Sequence, residues 1–239
     1  MLSSLNKILC YPKFNEEEFK RRLEEIHNLG ITEILSEGKV KIDDFRILGK
    51  GTNSLVVKAI YKGNFVALKI RRTDATRNTL ENEAKILKKV NEYNIGPKLF
   101  DFSQNFLVLE YIEGKFLEEF IMENDLNQIK NILLKLLIQC RILDLIKVDH
   151  GELSKASKHV IVTKDHNVKI IDFETASQER KPNNLTSIIS YLFLRPDDPL
   201  KLRENLKVNF NDLKFLLKSF KKDYSEETFY QILSKLNIY

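Results

Sequence analysis

The apolar residues of this chain follow two different spacings, and the change at Leu126 is the clearest. Over residues 39–70 apolar and polar residues alternate, and glycines interrupt the alternation at 49–51 and 62–64. This pattern predicts three antiparallel strands joined by turns. From Leu126 to Leu143 the apolar residues recur every three or four positions, which predicts one long buried helix. The chain is therefore expected to adopt an α+β fold, with its sheet in the first half and its helices in the second.

The remaining segments complete two lobes. Asn15 precedes three glutamates and a helical run of apolar residues that stops before Gly30, which predicts a capped amphipathic helix. Periodicity predicts, in order, a helix at 77–91, two strands within 100–112, a hairpin at 160–162 and 168–171, and helices at 185–193, 200–206, 212–221 and 225–236. We expect residues 1–40 to form a helical extension that packs on the first lobe, 41–112 to form that lobe, and 113–239 to form a reduced helical lobe.

Composition narrows the class of protein. The 239 residues include 39 basic and 34 acidic side chains, and the resulting net charge of +5 permits a polyanionic partner without indicating one. Cys10 and Cys140 are too few for a disulfide framework or a zinc site. No apolar run is long enough to span a membrane and the first residues make a poor signal peptide, so we expect a cytoplasmic protein. Abundant lysine, isoleucine, asparagine and glutamate fit an AT-rich prokaryote or archaeon.

The first turn of the predicted sheet contains Gly49 and Gly51, and Ser54 and Val56 follow them. Two glycines allow backbone amide groups to approach phosphate oxygens closely, and the Ser54 hydroxyl could meet a phosphate as well. The same glycines also suit an ordinary hairpin with positive φ angles. The turn alone leaves both interpretations open.

Lys69 ends the strand segment Val66-Ala67-Leu68-Lys69, and Glu83 follows fourteen positions later on the next predicted helix. Glu83 shares a helical stripe with Leu80 and Leu87, so it is expected to face inward. A buried carboxylate needs a partner because an isolated buried charge is costly. Lys69 is the expected partner of Glu83, whereas the alternative, Glu81, lies on the outer face of the helix.

Two polar segments follow the long helix. The first reads His150-Gly151-Glu152-Leu153-Ser154 and the second reads Lys169-Ile170-Ile171-Asp172-Phe173-Glu174. The order of the motifs along the chain resembles that of the protein-kinase-like superfamily. These motifs are the turn, the strand lysine, the helix glutamate and the two polar segments. They are most similar to the RIO kinases and related predicted archaeal serine/threonine kinases, in which the first segment reads His-Gly-Asp-Leu-Ser. The resemblance covers about residues 45–195.

This resemblance implies a two-lobed kinase-like fold, with an antiparallel sheet and one key helix in the first lobe, and an ATP-dependent phosphotransferase activity. Lys69 and Glu83 would position phosphates, Asp172 would hold a divalent metal, and Glu152 would orient the acceptor hydroxyl. Residues 107–114 resemble the hinge between kinase lobes. The positions that correspond to nucleotide-binding residues are Gly49, Gly51, Ser54, Val56, Ala67, Lys69, Glu110, Ile112 and Ile161.

The chain departs from the kinase pattern at three positions. Glu152 replaces the catalytic aspartate and keeps its carboxylate one methylene further out. His159 occupies the place of an asparagine metal ligand, either as a ligand that suits Mn²⁺ better than Mg²⁺ or as a histidine hydrogen-bonded in the loop. Glu174 replaces a glycine, and it either joins the metal site or caps the following loop.

Three functions remain open on this sequence. The first is a serine/threonine protein kinase that uses ATP and Mg²⁺ or Mn²⁺. The second is a nucleotide-binding pseudokinase or ATP-gated scaffold, favoured by Glu152 and the missing asparagine. The third is a small-molecule kinase, favoured by Glu174 and by the absence of an activation segment and an Ala-Pro-Glu motif. The lysines and the arginine within 201–222 indicate either solvated helix faces or a ribonucleoprotein-binding surface.

Overall fold

The computed structural model describes residues 2–196 and 200–238. The chain forms two compact units, Met1–Ile112 and Glu113–Tyr239. None of the helices formed by the described residues has the length and hydropathy needed to cross a lipid bilayer.

Among its described residues, the first unit has an antiparallel sheet and three helices. The helices are α1 (Leu2–Leu9), α2 (Glu16–Leu29) and α3 (Glu81–Asn91). The strands are β1 (Ile31–Leu35), β2 (Val40–Ile42), β3 (Phe45–Ile47), β4 (Gly49–Lys50), β5 (Ser54–Tyr61), β6 (Asn64–Arg71), β7 (Leu99–Phe102) and β8 (Phe106–Glu110). The sheet order is β1-β5-β6-β8-β7 with β4 on β5, whereas β2 and β3 form a separate hairpin.

The structure differs from the sequence prediction at three places in this unit. The predicted helical extension over residues 1–40 ends in a strand, because β1 follows Gly30 directly and pairs antiparallel with β5. The first predicted strand is a hairpin that turns at Asp43, where φ is +49°; an aspartate tolerates this left-handed conformation. Helix α3 begins at Glu81 rather than at residue 77.

The two faces of the sheet have different roles. Successive side chains of a strand point to opposite faces, so Leu68 and Ile70 of β6 lie on one face and Lys69 on the other. Leu68 and Ile70 belong to an apolar core that also contains residues of both N-terminal helices. The members of this core from α1 and α2 are Ile8, Leu9, Ile26 and Leu29. The N-terminal helices therefore cover the face opposite to Lys69.

Arg22 joins the N-terminal helices to the sheet through a fully buried guanidinium group. Its Nε donates to Glu18 Oε1 at 2.6 Å, and its Nη1 donates to the carbonyl oxygens of Leu9 and Arg71, each at 2.6 Å. Arginine is seldom fully buried unless its charge and its donors have partners. These contacts fix α2 to the end of α1 and to the end of β6.

The second unit is mostly helical. Its helices are α4 (Leu117–Glu123), α5 (Leu126–Leu145), α6 (Asn184–Phe193), α7 (Leu202–Asn205), α8 (Phe210–Asp223) and α9 (Glu226–Lys235), with 3-10 turns at Leu153–Lys158 and Phe173–Thr175. A small sheet has the order β11-β10-β9, formed by β9 (Gly114–Phe116), β10 (Val160–Thr163) and β11 (Val168–Ile170). Sequence periodicity predicted all but β9, α4 and the 3-10 turns.

Helix α5 is the long buried helix that the apolar spacing predicted. Asp125 caps it by accepting from the backbone N–H groups of Asn127 and Gln128, and the Gln128 side chain accepts in return from the Asp125 N–H. Such reciprocal caps satisfy donors that a helix start leaves unpaired. The buried residues of α5 include Leu133, Leu136 and Leu143, so this helix forms the centre of the second unit.

The buried arginine gives a test of how the N-terminal helices are held. Arg22→Ala is expected to lower the free energy of unfolding by about 3 kcal/mol, because it removes one of the two arginine partners of Glu18 and leaves the Leu9 and Arg71 carbonyl groups without this donor. Arg21 also pairs with Glu18, at 2.6 Å, but its side chain is 71% exposed, so Arg21→Ala is expected to cost at most about 0.5 kcal/mol. Urea denaturation of both variants measures the difference, and equal losses would contradict a structural role for the buried guanidinium group.

Candidate functional site

A buried ion pair joins β6 to α3 in the first unit. Lys69 Nζ lies 2.8 Å from Glu83 Oε1, and the two side chains are 4% and 3% exposed. Glu81 is exposed on the outer face of α3. The structure thus brings together the two residues whose spacing predicted a contact and leaves the alternative glutamate in solvent. The ammonium of Lys69 is held in one place by this pair.

The glycine turn connects β4 to β5. Gly49 and Lys50 pair with Val56 and Leu55, and the Gly51 N–H donates to the Ser54 carbonyl at 2.8 Å. Ser54 is buried at 3% exposure, so the tip of the turn consists of residues 51–53, of which Gly51 and Thr52 are exposed. We name residues 49–54 the glycine loop.

Several predicted nucleotide-binding residues lie on the Lys69 face of the sheet. Val56 is directly opposite Lys69 in the β5–β6 pair, and directly opposed residues share a face. Ala67, two residues before Lys69, is on the same face and is half-buried. Glu110 ends β8, where its backbone N–H donates to the Lys98 carbonyl at 2.8 Å. Ile112 is half-buried two residues beyond β8, and Ile161 lies on β10 of the second unit.

In the second unit, His150 is a buried structural histidine. Its Nε2 lies 3.0 Å from the Ile171 carbonyl oxygen, and because a carbonyl only accepts, Nε2 carries the proton. Complete burial lowers the pKa of His150 from 6.5 to about 4, so the ring is neutral near pH 7. This contact holds residues 150–154, the predicted catalytic loop, against Ile171, the residue that precedes Asp172.

Glu152, His159 and Asp172 form the candidate metal centre. One ligand atom from each of these half-buried residues lies within 4.8 Å of the others. His159 Nε2 is 3.5 Å from Glu152 Oε2, and His159 Nδ1 is 4.0 Å from Asp172 Oδ2. Within the described part of the chain, His159 Nδ1 is buried without a hydrogen-bond partner. Two carboxylates and an imidazole fit a divalent cation, and the imidazole favours Mn²⁺ over Mg²⁺.

The backbone of Asp172 is in the left-handed region, with φ 67° and ψ 71°. A residue other than glycine keeps this conformation only when its surroundings impose it, at a cost of about 1–3 kcal/mol. The next residues form the 3-10 turn Phe173–Thr175, in which Glu174 is buried at 8% exposure. Glu174 is not among the three residues of the metal cluster.

The segment after Asp172 is tied to the catalytic loop by Arg180. Arg180 Nε donates to Asp149 Oδ2 at 2.8 Å, and its Nη2 donates to the Thr175 carbonyl at 2.6 Å. Asp149 and Ser177 also exchange two backbone hydrogen bonds of 2.8 Å each. Residues 173–183 therefore form a short strap that returns directly to the start of α6.

Asn184 and Asp144 position this loop, although the sequence analysis missed both residues. Asn184 Oδ1 accepts from the His150 N–H at 2.8 Å, and Asn184 Nδ2 donates to Asp144 Oδ1 at 2.7 Å and to the Val148 carbonyl at 2.7 Å. Burial raises the pKa of Asp144 from 3.8 to about 6. A carboxylate four residues after Cys140 on the apolar stripe of α5 was the available signal, because such a group needs buried donors.

Gly151 gives a test of the packing between loop and strap. Its φ is +88°, and a Cβ there would lie 2.6 Å from Arg180 Nη2 and 2.9 Å from Thr175 Oγ1. Gly151→Ala is expected to destabilise the protein by about 2–4 kcal/mol, because it combines backbone strain with a steric clash. Gly63 has a similar φ of +79° but open space around it, so Gly63→Ala should cost only about 1–2 kcal/mol. Thermal unfolding compares them, and equal losses would exclude the clash.

The raised pKa of Asp144 predicts a pH dependence of stability. The carboxyl group of Asp144 keeps its proton up to about pH 6 in the folded state, whereas in the unfolded state it releases the proton near pH 3.8. Between these pH values the folded state binds more protons than the unfolded state. The stability of the folded state therefore falls as the pH rises. The free energy of unfolding of the wild type minus that of Asp144→Asn should therefore fall by about 2 kcal/mol from pH 4 to 6 and then level off. Urea denaturation across this range measures it, and a difference that rises with pH would contradict the burial.

Comparison with known proteins gives three findings. A family model described as the protein kinase domain matches residues 42–197. Uncharacterized protein MJ1211 of Methanocaldococcus jannaschii is 26% identical over 118 residues, which are 49% of this chain and 99% of the relative. The crystal structure of the PF14_0431 kinase domain is similar with a TM-score of 0.46 and 23% identity, covering 56% of this chain and 50% of that one. The chain thus spans only half the length of this solved relative.

Proposed function

This chain belongs to the protein kinase domain family, and on that premise we propose that it is an ATP-dependent phosphotransferase of the atypical, RIO-like serine/threonine kinase type. Its membership confirms the expected kinase-like α+β fold. The proposed reaction is the transfer of the γ-phosphate of ATP to a hydroxyl group of a protein.

The buried ion pair between Lys69 and Glu83 is the observation that supports this function most strongly. Both side chains are almost completely buried at a separation of 2.8 Å. Removing two charges from water is expensive, and apolar residues of similar size would often stabilise a fold as well or better. A functional role explains the pair, because kinases use such a glutamate to hold a lysine against the α and β phosphates.

The metal cluster supports the second part of the proposal. Asp172 and His159 are the proposed ligands, and Glu152 lies beside them. A divalent cation bound there would neutralise negative charge on the phosphates during transfer. Because His159 supplies nitrogen rather than oxygen, Mn²⁺ is expected to support the reaction better than Mg²⁺.

Glu152 is the proposed group for the acceptor hydroxyl. In the reaction the hydroxyl oxygen attacks the γ phosphorus, the bond to the bridging oxygen of ADP breaks, and the hydroxyl proton passes to the Glu152 carboxylate. Lys69 holds the α and β phosphates, and the glycine loop, with Val56, Ala67 and the backbone of Glu110 and Ile112, binds the nucleotide. Ile161 of β10 is assigned to nucleotide binding by its position in the family pattern.

A small-molecule kinase is the second candidate, and the strap formed by residues 173–183 favours it. Arg180 and Asp149 hold this segment close to the predicted catalytic loop, so it does not supply the longer platform on which kinases bind peptides.

The lysines of α8 give no support to a ribonucleoprotein partner. They are exposed, as is usual on the solvated face of a helix, and they are Lys214, Lys218, Lys221 and Lys222.

Label transfer from γ-labelled ATP tests the proposal. Purified protein with Mn²⁺ or Mg²⁺ is expected to phosphorylate itself or a serine/threonine peptide library, and Glu83→Gln should lower the rate by about 10²-fold because Lys69 loses its anchor. Asp172→Asn should lower it at least as much. Glu81→Gln is the matched control on the exposed face of the same helix and should leave the rate unchanged.

The competing functions give different results in the same assay. Transfer to small hydroxyl compounds but to no peptide would favour a small-molecule kinase. Nucleotide binding without transfer under either metal would favour the pseudokinase scaffold. Undiminished transfer by Asp172→Asn would contradict the proposed role of the metal cluster.

A further inference from the structure

Tyr11 lies between α1 and α2, outside the segment that matches the kinase family, and contacts the glycine loop. Lys50 Nζ donates to the Tyr11 hydroxyl at 2.5 Å and lies 4.7 Å from the centroid of its ring. The guanidinium carbon of Arg72 lies 5.1 Å from the same centroid. A cation within about 6 Å of a tyrosine ring is attracted to its face. Tyr11 therefore binds two cations, one of which belongs to the loop.

Arg72 also holds the tip of the glycine loop. Its Nη1 donates to the Gly51 carbonyl at 3.0 Å, and its backbone N–H donates to the Asn53 carbonyl at 2.8 Å. Asp74 fixes the guanidinium plane by accepting from Nε at 2.8 Å and from Nη2 at 2.7 Å. The Arg72 side chain is only 16% exposed. A planar group held at so many points has little freedom to leave the loop.

The N-terminal segment is also bound to the chain around Arg72. The backbone N–H and the hydroxyl of Thr73 both donate to the Tyr11 carbonyl, at 2.9 and 3.1 Å. Arg22 bonds to the carbonyl oxygens of Leu9 and Arg71. Residues 9–11 are thus fixed to residues 71–73 at both ends, and the ring of Tyr11 is held next to the loop tip.

The Arg72 contacts restrict the loop without using its N–H groups. A phosphate needs N–H donors, whereas Arg72 bonds to carbonyl oxygens of the loop. A glycine-containing loop has more conformational entropy to lose than most segments, and holding it in its bound shape beforehand increases affinity by reducing that loss. We name the contacts of Tyr11 and Arg72 with the glycine loop the anchor. The anchor can therefore favour nucleotide binding although it makes no contact with the nucleotide.

We propose that Tyr11 and Arg72 are positioning residues for the nucleotide, which hold the glycine loop in its phosphate-binding shape. The inference rests on the proposed function, since the nucleotide is its substrate. It extends the nucleotide-binding machinery to the N-terminal segment, beyond residues 42–197 that the family model matches.

Three measurements on Tyr11→Ala test the inference. Hydrogen exchange in the nucleotide-free protein reports the loop directly, and the peptide containing residues 50–54 should exchange faster than in the wild type. Titration with a fluorescent ATP analogue and Mn²⁺ should give a Kd about fivefold higher, since a freer loop must be ordered on binding. In the transfer assay the KM for ATP should rise with little change in kcat, whereas a partly unfolded protein would lose kcat.

Two graded variants and a control accompany Tyr11→Ala. Tyr11→Phe keeps the ring and loses only the hydroxyl, so its Kd should lie between those of the wild type and Tyr11→Ala. Arg72→Lys keeps the charge and loses the planar fork, so the loop should again exchange faster. Tyr93, whose side chain is 46% exposed in the same unit, gives the control Tyr93→Ala, which should change neither the exchange at 50–54 nor the Kd.

The outcomes separate this inference from the proposed function. Faster exchange at 50–54 together with a raised Kd supports the anchor. The inference is overturned if hydrogen exchange at 50–54 is unchanged in Tyr11→Ala, or if the Kd is unchanged although exchange is faster. In either case the proposed function still stands if the wild type binds the ATP analogue. A wild-type protein that binds no ATP analogue overturns both.

Discussion

The ion pair between Lys69 and Glu83 is the constraint that the first unit is built around. An ammonium and a carboxylate that are almost fully buried stabilise each other only at hydrogen-bonding distance, so the strand and the helix that carry them must keep their relative position. Lys69 keeps its place because the neighbouring residues Leu68 and Ile70 are buried on the opposite face. Apolar packing on one face of the sheet therefore fixes a charged pair on the other.

A polar network has the corresponding role in the second unit. Asn184, at the start of α6, bonds to Asp144 of α5 and to the backbone of His150. His150 in turn contacts the Ile171 carbonyl, one residue before Asp172. The segments that carry Glu152 and Asp172 are thus positioned by buried amide, carboxylate and imidazole groups rather than by apolar contacts alone.

Local patterns in the sequence predicted the elements that depend on local physics. Asn15 and Gly30 correctly marked the ends of α2, because capping involves only neighbouring residues. The apolar stripe of α5 and the spacing of Lys69 and Glu83 were informative for the same reason, since each follows from the period of one helix or strand. The strand β1 was missed, because five residues after a helix become a strand only through pairing with β5.

The parts of the candidate site that sequence reasoning missed depend on residues far apart in the chain. Tyr11 meets Lys50 and Arg72 only after the N-terminal helices have packed on the sheet. Asn184 resembled an ordinary residue at a helix start, and its bonds to Asp144 and His150 join positions 40 and 34 residues apart. No periodic pattern records such contacts, because each is made by a single polar side chain.

The alternation along β6 makes the position of Lys69 intolerant of small changes in chain length. A one-residue deletion or insertion within this strand would move every later side chain to the other face of the sheet. The ammonium of Lys69 would then point into the layer formed with α1 and α2, while an aliphatic side chain would take its place beside Glu83. Sequence changes within β6 should therefore be substitutions. Insertions and deletions should instead occur in the turns at either end of this strand.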